Sequence, residues 1–68
     1  MTRKDYQAIA EAINKARENE LAMGASGDWL QGVEVTLSSV AHQLCKIFEQ
    51  DNPRFDSNKF LNAANIRY

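Results

Sequence analysis

The nine residues Asn52-Pro53-Arg54-Phe55-Asp56-Ser57-Asn58-Lys59-Phe60 constrain this chain more than any other stretch. Proline at 53 drives Asn52 out of the α conformation, so a helix arriving there has to end. Asp56 is of the type that caps a helix start, its carboxylate accepting from a backbone N–H two or three positions on. Phe55 then falls just before the cap and Phe60 at the fourth helical position, the two places of a hydrophobic staple. The segment reads as helix stop, turn, helix start. Arg54 alone has no part in that grammar. It is free to meet a phosphate or a partner's carboxylate, or to cover the Phe55 ring or pair with Asp51 or Asp56.

Helical periodicity surrounds this turn. Tyr6, Ile9, Ile13 and Ala16 recur at spacings of three and four, with Ala10 beside them, and predict a first helix over about 3–21. Thr2 followed by Asp5 predicts a capping box at its start. Glu11 and Lys15 are spaced for an i,i+4 ion pair. Residues 22–28 are small, glycine-rich and polar, a loop in which Gly24 ends helix one and Ser26 or Asp28 caps the next. Leu30, Val33, Leu37, Val40, Leu44 and Ile47 then alternate at three and four, widened by Trp29, Ala41 and Phe48, and predict a second helix over about 28–50. Gly32 weakens that helix by about 1 kcal/mol relative to alanine, and close packing of a neighbouring helix would explain it. A third helix over about 57–64 carries Phe60, Leu61 and Ala64 on one face, with Asn65 placed for a left-handed cap and Ile66 for folding back on Phe60 or Leu61.

The expected fold is therefore all-α: one domain over 1–68, a long antiparallel helical hairpin closed by a short C-terminal helix in a small three-helix bundle. A chain of 68 residues buries only about 60% of its unfolded surface. Its one cysteine makes no internal disulfide, and no zinc-type Cys/His spacing is present. Self-association is the remaining common route to stability at this size, so a homodimer or higher oligomer is expected.

Charge and composition narrow the function. The net charge is −1 with acids and bases interspersed, so neither a nucleic-acid surface nor an acidic mimic of one is advertised. The opening residues Met1 to Tyr6 lack the apolar run of a signal peptide, no stretch is apolar over membrane-spanning length, and a lone Cys45 suits a reducing cytoplasm. His42, Cys45 and Glu49 share a helix face, but four ligands are needed for a structural zinc site; no metal or cofactor is expected. Cys45 has neither a nucleophile turn nor a histidine from another element, so no catalytic residue is assigned. Residues 44–64 resemble a helix-turn-helix in outline, with Asn58, Lys59 and Asn62 for base contacts, yet the turn carries Pro-Arg-Phe and two acids flank it, which disfavours DNA. The candidate contact residues are Trp29, a type enriched in binding hot spots, together with Arg54, Tyr6 and Arg3. Met23 and Leu21 extend the surroundings of Trp29. Arg3 and Lys4 oppose the dipole of the first helix. Thr2, Pro53, Phe55, Asp56 and Phe60 are expected to be structural.

Two blocks, Met1-Thr2-Arg3-Lys4-Asp5-Tyr6 with Ile9-Ala10 and Ile13, and Asp51-Asn52-Pro53-Arg54-Phe55-Asp56 with Lys59-Phe60-Leu61 and Ala63, resemble a group of small helical proteins encoded by bacteriophages and prophages. The blocks cover about a third of the chain, at its two ends. Such proteins tend to end in Ala-Cys-Gly where this chain has Ala63-Ala64-Asn65; asparagine suits the same left-handed cap, and the missing cysteine removes any thiol role there. The resemblance implies a phage accessory protein acting in the bacterial host cytoplasm. With no catalytic constellation, the expected function is non-enzymatic binding of a host protein or complex, such as a CRISPR effector or another component of antiviral defence. The alternatives are an oligomeric sponge for a nucleotide signal, using Arg54 with Tyr6 or Phe55, and a small DNA-binding regulator.

Overall fold

The computed structural model describes residues 1–66; Arg67 and Tyr68 lie outside the described residues. Three helices follow one another, α1 (Arg3–Ala22), α2 (Gly27–Asp51) and α3 (Ser57–Ala63). They form the expected all-α bundle, a hairpin of two long helices with the short third helix packed at one end. The molecule measures 38 × 18 × 14 Å.

The helix ends follow local chemistry closely. The Thr2 backbone N–H donates to Asp5 Oδ2 at 2.8 Å while Asp5 N donates to Thr2 Oγ1 at 3.3 Å, a complete capping box. These bonds favour the ionised carboxylate, and they hold the Asp5 carboxyl below the usual carboxylate range. Gly24, at φ +91°, closes α1, with Gly24 N bonded to Leu21 O (3.0 Å) and Ala25 N to Glu20 O (3.0 Å). That pattern ties off two carbonyls the helix cannot use itself. At the far end of the chain Asn65 takes φ +61°, and Ile66 N reaches Leu61 O at 2.9 Å. Ile66 is thereby folded back into the buried cluster that also contains Phe60.

The turn after α2 also forms as expected. Asn52 is extended, at φ −144° and ψ 105°, and ends the helix. Its Oδ1 accepts from Arg54 N at 3.0 Å and its carbonyl from Phe55 N at 2.9 Å. Asp56 Oδ1 accepts from Lys59 N at 3.1 Å, capping α3. The Phe55 and Phe60 rings meet at 5.7 Å between centroids. The Ser57 hydroxyl donates to Glu49, tying α3 to α2.

The packing and the surface pairing differ from the sequence expectation in three ways. On α1 the buried face is Tyr6, Ala10, Ile13 and Arg17, while Ala16 is exposed. On α2 it is Ser38, Ala41, Cys45 and Phe48; Leu37 and Leu44 sit at its edge, and Trp29, Val40 and Ile47 are exposed. The helix has turned its small residues, not its cleanest apolar line, toward α1, because Ser38 and Ala41 let the backbones approach. Thirdly, Glu11 accepts from Gln7 Nε2 (3.4 Å) in place of pairing with Lys15.

Two features of the loop and of α2 also need correction. Ser26 occupies the position before α2 but makes no side-chain cap bond, and Asp28 lies inside the first turn. Helix α2 is continuous through Gly32, and no heavy atom lies within 4 Å of where a Cβ would stand. Close packing therefore does not explain this glycine. Gly32→Ala is expected to stabilise the fold by about 1 kcal/mol, raising Tm by roughly 4–8 °C; thermal unfolding by circular dichroism checks it.

Candidate functional site

Four rings and one guanidinium organise the molecule. Phe48 of α2 is the hub: its centroid lies 4.9 Å from Tyr6 of α1, 5.3 Å from Phe55 of the turn and 5.5 Å from Phe60 of α3. Tyr6 also meets Phe55 edge-on at 4.8 Å. The tilted and T-shaped geometries place ring edges on ring faces, which favours such pairs beyond their burial. This cluster joins the N-terminal turn of α1 to the Asn52–Phe60 segment.

Above it runs a groove of about 670 Å³, lined by Arg3, Tyr6, Arg54, Phe55, Lys59 and Phe60, with Gln7, Asn52 and Asp56 among its other walls. Three of the four sequence-nominated contact residues, Arg3, Tyr6 and Arg54, thus come together from opposite ends of the chain. Arg54 is exposed, and its side chain makes no hydrogen bond or ion pair among the described residues. It pairs with neither Asp51 nor Asp56. The one acid in the lining, Asp56, is engaged with the Lys59 backbone N–H. Three cations therefore face one occupied carboxylate, at one end of a chain whose net charge is −1.

Folding does not ask for that charge. Arg3 and Lys59 sit in the first turns of α1 and α3, where the helix dipole disfavours cations. Nor does folding use the Tyr6 hydroxyl, which is buried without a hydrogen-bond partner among the described residues. Phenylalanine would fill the same place without that cost.

Trp29 lies elsewhere. It is 68% exposed and belongs to the opposite end of the hairpin, where its Nε1 donates to Glu20 Oε2 at 3.4 Å. Met23 and Trp29 flank a second, shallower hollow with Glu20 and the loop. Leu21, Met23 and Trp29 are all exposed, so the tryptophan does not pack over α1.

The residue that sequence reasoning missed is Arg17. It is 5% exposed. Its Nη1 donates to Asn14 Oδ1 at 2.9 Å and its Nη2 to the Asn65 carbonyl at 2.7 Å. Its Nε lies 2.7 Å from Glu34 Oε1, close but out of line for a hydrogen bond, so that contact is Coulombic. One side chain thus holds α1, α2 and the cap of α3. The signal was present: Arg17 continues the Tyr6, Ala10, Ile13 spacing, and Glu34 falls on the face of Ser38 and Ala41.

The remaining candidates are accounted for by position. Cys45 is buried; desolvation first, and Glu49 second, push its thiol up and keep it protonated. Among the described residues no three His, Cys, Asp or Glu gather as metal ligands, and no helix is long and apolar enough to cross a membrane. Asn58, Lys59 and Asn62 are exposed on α3, which has only seven residues. Comparison with known proteins finds no matching family model, no similar curated protein and no similar solved structure.

Proposed function

We propose that this chain is a non-enzymatic accessory protein of a bacteriophage or prophage that binds a host macromolecule through the Arg3–Arg54 groove. The resemblance of its two terminal blocks supports a phage origin, and those same two blocks supply the groove's walls. The observation that carries the reading is that Arg3, Arg54 and Lys59 line one groove with the Tyr6, Phe55 and Phe60 rings. Cations beside apolar ring surface suit an acidic, aromatic-bearing segment of a protein partner. Capture of a defence component such as a CRISPR effector is the role that fits a small binding protein expressed in the host cytoplasm.

The experiment is affinity capture from host lysate by the wild type and by the Arg3→Glu/Arg54→Glu double variant, with the partner identified by mass spectrometry. The expected result is a partner retained by the wild type, weakened by salt and lost in the double variant. Equal retention by both proteins overturns the assignment of the groove, and absence of any partner counts against the reading as a whole.

The same geometry favours one second reading, the nucleotide sponge, because a groove of about 670 Å³ with cations beside rings also suits a phosphorylated nucleoside. A thermal-shift series with cyclic and linear nucleotides separates the two. Stabilisation that disappears in the double variant selects the sponge.

A further inference from the structure

The apolar line that the core left outside has an address of its own. Trp29, Val33, Thr36, Val40, Gln43, Ile47 and Gln50 follow one flank of α2 at steps of three and four, with no charged residue among them. A quarter of all residues are charged, so a charge-free flank this long is not what a solvated helix face presents. It spans roughly 31 Å at 1.5 Å per residue. Val40 is 44% and Ile47 57% exposed. Leu37 and Leu44 support it from behind, half-buried against the core. The α3 helix cannot cover it. Glu49, which bonds Ser57 of α3, lies about 200° around the helix from Ile47 at 100° per residue.

We propose that this flank is the interface with a second copy of the chain, the two α2 helices running antiparallel about a two-fold axis through Val40. Val33 and Ile47 lie seven residues on either side of Val40, so an antiparallel pair sets each against the other and Val40 against itself. Asp51 closes the line at the C-terminal end of α2. A parallel pair would bring two Asp51 carboxylates and two negative helix ends together; the antiparallel pair separates them and sets Asp51 near the partner's Trp29. The area agrees with this. A compact monomer of 7.7 kDa exposes about 4300 Å² by the usual scaling, whereas this chain exposes 4996 Å². The excess is comparable to the roughly 800 Å² that each subunit buries in a standard interface. Among the described residues no large side chain is fully buried within the single chain, as expected where part of the core is intermolecular.

Sedimentation equilibrium tests this on the full chain, without any host partner. The wild type is expected at twice the 7.7 kDa chain mass, Val40→Glu at the chain mass, and Val35→Glu at twice it, because Val35 is even more exposed than Val40 but off the seam. A monomeric wild type, a dimeric Val40→Glu or a monomeric Val35→Glu overturns the proposal. Should Val40→Glu lose its helical signal, oxidative cross-linking decides. Val40→Cys is expected to give a disulfide-linked dimer and Val35→Cys to give none; the reverse, or no cross-link at either, overturns it. The outcome does not depend on the Arg3–Arg54 groove, whose lining contains none of the flank residues.

Discussion

Arg17→Met is expected to lower stability by about 3 kcal/mol, a fall in Tm of roughly 12–24 °C for a domain this small. Methionine keeps much of the aliphatic stem and removes the charge. The Asn65 carbonyl then loses its 2.7 Å donor, Asn14 loses its 2.9 Å partner, and Glu34 loses its counter-ion. Glu34 keeps some contact with water, its side chain being 22% exposed, so the cost falls at the lower end for a broken buried pair. The paired variant Arg17→Met/Glu34→Met should recover a good part of the loss, because no charge is then left without a partner. The comparison has to be made at one protein concentration, since unfolding of the proposed dimer would depend on it. A shift below about 3 °C for the single variant would remove Arg17 from its central place.

Phe48→Ala is expected to cost more, about 3–4 kcal/mol. Phe48 is 5% exposed and is the ring that α1, the turn and α3 share. Small single-core domains of this kind rarely have more than about 3–5 kcal/mol to lose, so much of the population should be unfolded at 37 °C. Far-UV circular dichroism reads that directly as lost helix signal. Phe48→Leu keeps most of the volume and should cost only about 1.5 kcal/mol, leaving a folded protein whose groove walls are less firmly held. Retention of the wild-type Tm by Phe48→Ala would show that the three elements do not depend on one shared ring.

These two residues show where a sequence is legible and where it is not. Five of the six helix ends were legible because they are written in local chemistry: Thr2 with Asp5, Gly24, Asn52 before Pro53, Asp56 before Phe60, and Asn65; the start of α2 was not, since Ser26 makes no side-chain cap bond. The facing of α2 was not, because its apolar residues span about half the circumference. Leu30, Val33, Leu37, Val40, Leu44 and Ile47 make the more regular line, yet α1 packs on Ser38, Ala41, Cys45 and Phe48. Choosing between flanks requires knowing how closely two backbones can approach, which is a property of the pair and not of either helix. Arg17 was passed over for a related reason. A charged residue next to an apolar stripe is usually solvated, and only its match with Glu34 across the hairpin reveals that it is buried. The groove was half legible. Arg3, Tyr6 and Arg54 were each singled out, but only the antiparallel hairpin places residues 3 and 54 on one wall, and it sends Trp29 to the far end.

The turn from Asn52 to Phe60 therefore carries two separate instructions. Pro53, Asp56, Phe55 and Phe60 build the junction, and Arg54 projects from it with no contact that the fold needs. The most direct test of the proposed host-binding role is the affinity of Arg54→Glu for a partner that the wild type captures from host lysate, measured beside the wild type with both proteins fully folded. At least a tenfold loss of affinity, about 1.4 kcal/mol, with Tm within about 2 °C of the wild type is the predicted result. Unchanged affinity would contradict the account, and so would a loss of affinity that merely follows a loss of fold.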